Sequence, residues 1–192
     1  MKTVVGFLSR EHGLNVLQTL IKNNHYKVIT VFTHKLNPKS QDKTRGVRKD
    51  FQKFVELCKQ EKIELITIDT KSSEINCPNC DFIVEVSWRY LISLETVKEA
   101  KILAFGIHRG RLPDYAGAEP IKQALENNEK EIIISGHHLD PKIDAGEVIT
   151  TRSYNVNYNS KISFEKNIQF IREEITPIFS EITLKILEKN YS

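Results

Sequence analysis

The chain has 192 residues, 40% of them hydrophobic, which is enough for one ordinary domain with its own core. Its 28 Lys and Arg residues against 25 Asp and Glu leave a net charge of +3, too small to indicate a nucleic-acid partner. No apolar stretch approaches the roughly 20 residues of a membrane span, and the N-terminal sequence lacks the apolar core of a signal peptide. We therefore expect one cytoplasmic domain over residues 1–192.

Strands and helices alternate along the first two thirds of the chain. Short continuous apolar runs predict buried strands, and apolar residues at spacings of three and four predict helices. The predicted elements in chain order are strand 2–7, helix 12–24, strand 26–33, helix 47–62, strand 63–68, strand 81–87, helix 94–100, strand 101–108 and helix 118–128. This alternation favours an α/β fold with a doubly wound, mostly parallel open sheet.

The pattern changes toward the C-terminus. Two strands, 131–139 and 146–156, are separated by a short turn and are expected to be antiparallel. The segment 160–192 predicts an amphipathic helical tail, which Pro177 is expected to kink or break. The predicted fold is thus a doubly wound sheet with antiparallel strands added near its end.

One histidine lies where such sheets bind ligands, at the carboxyl end of a strand. His108 begins the segment HRGRLPDYAG, which holds two arginines, two glycines and a proline. The alternative to a functional role is that His108 is a hydrogen-bonded histidine of the core. A core histidine does not require a rigid polar loop of this kind beside it. If strand 131–139 pairs beside strand 101–108, Asp144 comes near His108. A carboxylate beside an imidazole raises its basicity and fixes its orientation, so this pair predicts a general base and its partner.

Two clusters carry residue types that bind metals. Cys77 and Cys80 form a CPNC pair, but a structural zinc site needs a second pair and the sequence has none. An ordinary loop is expected there, with a redox or metal role as alternatives. His137 and His138 are adjacent in a predicted strand, so only one of them can face the predicted site. Together with Asp140 and Asp144 they could suggest a metal site, but no ligand set at tight spacing emerges and no metal is expected.

Two further loops reach the same edge of the sheet. The loop FLSREHG lacks the glycine patterns of dinucleotide and phosphate loops. An anion at the helix N-terminus, assisted by Ser9 or Arg10, is one interpretation, and an ordinary turn is the other. Trp88, Arg89 and Tyr90 follow the fourth strand and reach the edge as well. For Trp88, packing against a loop is the alternative.

The segments GIHRGRLPDYAGAEP and SGHHLDPKIDAG, in that order, resemble the folate-dependent N-formyltransferases. The family patterns are N-x-H-x-S-L-L-P-x-Y-x-G-x-x-P and T-x-H-x-x-x-x-x-x-D-x-G. A weaker similarity spans about residues 2–150 and includes VFTHKLNP. The resemblance implies a Rossmann-like formyltransferase fold and transfer of a formyl group from 10-formyltetrahydrofolate to an amine.

The resemblance also implies residue roles. His108 would take part in proton transfer and, when protonated, stabilise the tetrahedral oxyanion, while Asp144 would orient His108 and help relay the proton. The residues implied for the pterin site are Trp88, Arg89, Tyr90, Leu91, His137, Asp140 and Ile143. The residues expected to contact the acceptor are Ser9, Arg10, Arg109, Arg111 and Tyr115. For the two arginines after His108, solvated surface positions are the alternative to a diphosphate contact.

Three positions depart from the family pattern. Gly106 stands where the family has a catalytic asparagine, Gly110 replaces a serine, and Ala116 replaces a common arginine. Losing one oxyanion donor typically costs about 100- to 1,000-fold in turnover. Either another group or water takes the place of the amide, or the protein is an impaired folate- or nucleotide-binding protein. A related acyl transfer, or hydrolysis of the formyl folate, is a third interpretation.

Features that the sequence lacks narrow the choice of the amine that accepts the formyl group. Methionyl-tRNA formyltransferases carry a C-terminal RNA-binding domain, glycinamide ribonucleotide enzymes carry a Gly-Ser-Asn loop after the first strand, and formyltetrahydrofolate hydrolases carry an extra N-terminal domain. A small, nucleotide-linked amino sugar is the acceptor that remains. We therefore expect small-molecule substrates, no nucleic acid, no membrane, and a homodimer as in many family members.

Overall fold

The structure is a computed structural model that describes residues 1–71, 73–142 and 144–191. These residues group into two compact units, Met1–Ala104 and Phe105–Ser192, with the boundary inside one strand. The elements are β1 (Lys2–Leu8), α1 (Arg10–Lys22), β2 (Tyr26–Thr33), α2 (Phe51–Gln60), β3 (Glu64–Thr67), β4 (Cys80–Val86), α3 (Leu94–Val97), β5 (Ala100–His108), α4 (Pro120–Glu126), β6 (Glu131–His138), β7 (Val148–Asn155), α5 (Phe164–Glu174) and α6 (Thr176–Lys189).

The first unit contains a parallel sheet in the order β3-β2-β1-β4. The chain runs outward from β1 to β3 and then returns to the other side of β1 for β4, so the winding reverses between β1 and β4. Ligands bind at such a reversal, beyond the carboxyl ends of the strands. Here the two strand ends are joined, because the N–H of Ser9 donates to the carbonyl of Val86 at 3.0 Å.

Buried apolar residues explain the elements of this unit. Leu14, Leu17 and Leu20 recur on one face of α1, and all three are buried where α1 packs on β1 and β2. The prediction of helix 47–62 was too long, since α2 begins only at residue 51. Val47 instead bridges Leu36 across the chain, and this long-range pairing holds the segment before α2 out of the helix.

The second unit begins within β5 and is antiparallel. β5 pairs with β6, placing His108 opposite Ser135, and β6 pairs with β7. The predicted antiparallel strands and the pairing of 131–139 beside 101–108 are therefore confirmed. The predicted break in the tail is also confirmed, because α5 ends before Ile175 and Pro177 lies in the first turn of α6, where its missing N–H costs nothing.

The fold class is the one that the sequence predicts: an α/β fold with parallel, doubly wound strands first and antiparallel strands toward the C-terminus. The single domain over 1–192 stays a prediction beside the two compact units. None of the helices in the described part of the chain is long and apolar enough to cross a membrane.

Asp81 ties the start of β4 to β1. Its carboxylate accepts hydrogen bonds from the N–H of Thr3 at 2.7 Å and from the Thr3 hydroxyl at 2.9 Å. The Thr3 N–H is the main cause that holds the pKa of Asp81 below its ordinary value, and the nearby Lys2 and Lys101 add to it. A carboxylate with a depressed folded pKa stabilises the fold above its unfolded pKa of about 4 and loses that effect as the pH falls through the folded value.

We expect Asp81→Asn to lower the free energy of unfolding by about 1 kcal/mol at pH 7, because the charge-assisted hydrogen bonds are weakened. The difference in free energy of unfolding between variant and parent should become smaller below about pH 4. Urea unfolding at several pH values measures it, with the exposed Asp114→Asn as the matched control. A gap that is constant with pH would contradict the role of the ionised carboxylate.

Candidate active site

Four residues of β5 and β6 share one face because side chains alternate along a strand. Gly106 pairs with His137 and His108 pairs with Ser135 in the antiparallel register. Residues directly opposite each other point to the same side. The imidazoles of His108 and His137 and the Ser135 hydroxyl therefore lie on one face, to which Gly106 adds no side chain.

The predicted pair of His108 and Asp144 is formed. His108 Nδ1 lies 3.3 Å from Asp144 Oδ2, and the side chains are only 10% and 15% exposed. The other ring nitrogen, Nε2, donates its hydrogen to the carbonyl oxygen of Tyr115 at 2.7 Å. Burial lowers the pKa of His108, against the raising effects of the Asp144 charge and the Tyr115 carbonyl. Both nitrogens of this ring thus have acceptors within the protein.

Asp144 contacts both histidines. It has a left-handed backbone with φ of 52°, a conformation that Asp adopts more readily than most residues. Its Oδ2 accepts the N–H of Gly117 at 2.9 Å, and its Oδ1 lies 3.6 Å from His137 Nε2. One carboxylate therefore presents one oxygen to each imidazole.

His137 is the member of the adjacent histidines that faces the site, while His138 is exposed. Its side chain is 3% exposed, and its Nδ1 donates a hydrogen bond to the carbonyl of His138 at 2.9 Å. Its Nε2 has no hydrogen-bond partner in the described parts of the chain. Burial lowers the pKa of His137, so the neutral form with a lone pair on Nε2 is favoured.

Ser135 holds the loop that follows β5. Its hydroxyl donates to the carbonyl of Gly110 at 2.8 Å and accepts the N–H of Leu112 at 3.4 Å. A Cβ atom on Gly110 would lie 2.8 Å from the Tyr115 carbonyl oxygen and 3.0 Å from His108 Nε2. Glycine at this position therefore allows the loop to close on His108, which gives a physical reason for the departure from the family serine.

Gly146 fixes the approach of the Asp144 turn to β6. A Cβ atom there would lie 1.8 Å from the carbonyl oxygen of His138, a distance that no side chain tolerates. We expect Gly146→Ala to displace the turn and to lower the free energy of unfolding by about 1 to 3 kcal/mol. Thermal unfolding measures it, and Gly46→Ala, where a Cβ would meet only the Asp42 carboxylate at 3.1 Å, is the control. Equal stability of both variants would contradict the close approach.

The predicted residues near the end of β1 are engaged within the first unit. The buried Ser9 hydroxyl accepts a hydrogen bond from Arg48, whose guanidinium also pairs with Asp50 at 2.6 Å. Arg10 Nη2 donates to the side-chain oxygen of Gln41 at 2.9 Å. The acceptor-binding roles of Ser9 and Arg10 stay predictions.

The residues after β4 surround a histidine that the sequence reasoning missed. The Trp88 ring stacks on His34 with centroids 4.0 Å apart, and the N–H of Arg89 donates to His34 Nε2 at 3.2 Å. Burial and the Arg89 charge lower the pKa of His34 to about 3, so the ring is neutral. Tyr90 donates its hydroxyl to the Asp69 carbonyl at 2.8 Å. The segment VFTHKLNP was the one signal that pointed to His34.

The other residues predicted to contact the folate or the acceptor differ in their partners and in their exposure. The Tyr115 hydroxyl donates to Glu129 at 2.8 Å, and the exposed Arg111 lies 3.8 Å from the same carboxylate. Arg109 is half-buried and Leu91 is 53% exposed. Asp140 accepts the backbone N–H of Lys142 at 2.9 Å, and the prediction for Ile143 lies outside the described residues.

Cys77 and Cys80 are free thiols, and Cys80 begins β4. The described residues contain no group of three or more His, Cys, Asp or Glu side chains arranged to hold a metal ion. Neither observation tests the alternatives of a redox or metal role.

Known proteins resemble this chain along most of its length. A family model described as formyl transferase matches residues 2–175. Methionyl-tRNA formyltransferase of Pediococcus pentosaceus is 28% identical over 160 residues, covering 79% of this chain and 48% of that protein. The enzyme of the same name from Mycoplasmopsis pulmonis is 26% identical over 186 residues, covering 90% of this chain and 62% of that protein. The chain thus spans less than two thirds of the length of these relatives.

Solved structures share the fold. Phosphoribosylglycinamide formyltransferase from Streptococcus pneumoniae superimposes with a TM-score of 0.67 at 15% identity, covering 97% of this chain and 99% of that one. An N-formyltransferase from Helicobacter canadensis, solved with folinic acid and dTDP-3-aminofucose, gives 0.66 at 19% identity, covering 99% and 65%. The family match contains β5, β6 and Asp144, and the chain belongs to the formyl transferase family.

Proposed function

We propose that the protein transfers a formyl group from 10-formyltetrahydrofolate to the amine of a small, nucleotide-linked amino sugar in the cytoplasm. The observation that carries this proposal is the largely buried pair of His108, at the end of β5, and Asp144, 3.3 Å apart, in a chain of the formyl transferase family. An imidazole oriented by a carboxylate can move the proton that an amine loses when it attacks a formyl carbon.

The chain also offers an unused donor where a folate would be expected. Trp88 Nε1 is buried and has no hydrogen-bond partner in the part of the chain that the structure describes. A buried N–H without an acceptor is costly unless a ligand supplies one. On this proposal, an acceptor atom of the pterin ring would take that hydrogen bond beyond the end of β4.

The choice of acceptor is supported by the likeness to the Helicobacter canadensis N-formyltransferase solved with dTDP-3-aminofucose. Methionyl-tRNA is a second candidate, because the curated relatives of this chain are methionyl-tRNA formyltransferases. The two acceptors differ so much in size that one assay separates them.

The test is an assay of the purified full chain with 10-formyltetrahydrofolate and three acceptors in parallel: a panel of amino-sugar nucleotides, methionyl-tRNA and glycinamide ribonucleotide. Mass spectrometry identifies the product, and an active family enzyme serves as the positive control. We expect a formylated sugar nucleotide. Formylated tRNA would correct the acceptor, free formate would indicate hydrolysis, and folate binding with no product would favour the impaired binding protein.

A further inference from the structure

Two thiols lie together at the start of β4 in the first unit. Cys80 is the first residue of β4 and is 1% exposed, whereas Cys77 is half-buried. The Cys80 thiol donates a hydrogen bond to the Cys77 sulfur, and this bond is the main cause that lowers the pKa of Cys77. A thiol with a lowered pKa is more readily present as the thiolate, which is the form that attacks disulfides.

Cys77 lines a cavity of about 450 Å³. Asn76, from the segment after β3, and Tyr90 and Leu91, from the segment after β4, line the same cavity. Asn76 and Leu91 are exposed, so the cavity opens to solvent. A small reagent can therefore reach the Cys77 sulfur from the cavity, whereas the buried Cys80 is shielded.

Carboxylates dominate the charge of this cavity. Glu74, Glu95 and Glu99 line it, against the ammonium group of Lys71. Negative charge concentrated in a cleft raises the local concentration of cations and repels anions. Among small disulfides, the cavity therefore favours one that carries positive charge.

The chain before β4 can adjust to a bond between the two sulfurs. Cys80 is held in place, because its N–H donates to the Glu99 carbonyl at 3.0 Å and the next residue, Asp81, accepts the N–H of Thr3. Residues 73–79 are described and belong to no helix or strand. Cys77 can therefore move toward the sulfur with which it already shares a hydrogen bond, and no strand pairing has to break.

We propose that Cys77 and Cys80 form a redox site, in which Cys77 attacks a cationic low-molecular-weight disulfide in the cavity and Cys80 completes the exchange. This site goes beyond formyl transfer and does not depend on it. The Cys77 thiolate attacks one sulfur of the small disulfide, whose S–S bond breaks, and one small thiol leaves with the proton that Cys77 gave up. Cys80 then loses its proton and attacks the Cys77 sulfur, and the second small thiol leaves with that proton. The two cysteines lose two electrons, and the small disulfide gains them.

The test treats the purified full chain with cystamine, a disulfide with two ammonium groups, and maps the products by mass spectrometry. In the parent we expect a product that has lost two hydrogens and links Cys77 to Cys80. Cys80→Ser should stop at the mixed disulfide and keep cysteamine on Cys77. Cys77→Ser should react at least about tenfold more slowly, because the remaining thiols of Cys58 and Cys80 are buried. Cys58→Ser is the matched control and should react like the parent.

A measurement on the parent alone covers variants that fail to fold. Brief alkylation with iodoacetamide should label Cys77 at least about tenfold faster than Cys58 or Cys80, and urea should abolish this preference. The ratio of the rates with cystamine and with the anionic oxidised glutathione should also be larger in the folded chain than in urea.

Two results would overturn the redox site: a cysteamine adduct that persists on Cys77 of the parent, or native labelling of Cys80 as fast as that of Cys77. A rate ratio of cystamine to oxidised glutathione that is the same in the folded chain and in urea would overturn the cationic ligand.

Discussion

Asp144→Asn is expected to lower kcat by about 1,000-fold, the middle of the range for a general acid–base group. The carboxylate presents Oδ2 to His108 and Oδ1 to His137, and it is the negative charge that stabilises either ring when protonated. An amide has the same shape but no charge, and its NH₂ group can face only one of the two rings. Asparagine also tolerates the left-handed backbone at this position, so the fold should be kept.

The measurement is single-turnover formyl transfer, with thermal unfolding to show that the variant is folded. Asp114→Asn makes the same chemical change on an exposed side chain of the loop after β5 and should leave kcat unchanged. A loss of less than about tenfold in Asp144→Asn, equal to roughly 1.4 kcal/mol of barrier, would show that the reaction does not depend on this charge.

Gly106→Asn is expected to raise kcat by about 100-fold, because the amide would restore one oxyanion donor on the face of His108. The reason is the register, which places residue 106 directly opposite residue 137 and on the face of His108.

Gly106→Ala is the matched control, since it adds a Cβ atom to this buried position without a donor. An equal gain in kcat by Ala and Asn would indicate a packing effect. An active parent whose kcat does not rise in Gly106→Asn would show that another group or water already serves the oxyanion.

The sequence predicted the fold well because a short continuous run of apolar residues is a clear local signal of a buried strand. The run YKVITVFT predicts strand 26–33, and β2 has those bounds. The helix predicted from residue 47 was too long, because a bridge between Val47 and Leu36 competes with helix formation and no local pattern reveals it. Contacts between residues far apart in sequence override local propensity in such cases.

The site was predictable in part for a similar reason. His108 and Asp144 follow paired strands, so their order along the chain indicates that they meet. The carbonyl of Tyr115 on His108 and the carbonyl of His138 on His137 were missed, since every residue has a carbonyl and only the backbone path brings one to a ring. Within the described residues His137 Nε2 has no hydrogen-bond partner, and residue identity alone does not reveal this.

The last helix, α6, packs against the strand that carries His137 and Ser135, so the residues that support the candidate site include part of α6. Gly136 lies between Ser135 and His137 on β6 and faces away from the site, where a Cβ would come within 2.6 Å of Ile186 and 2.9 Å of Ile182. These isoleucines lie on α6, beyond residue 175, where the family match ends. A fragment that ends at residue 175 would keep His108, His137 and Asp144 and would lose the isoleucines that pack behind β6. Any search for second-site mutations that retune turnover should therefore include this last helix.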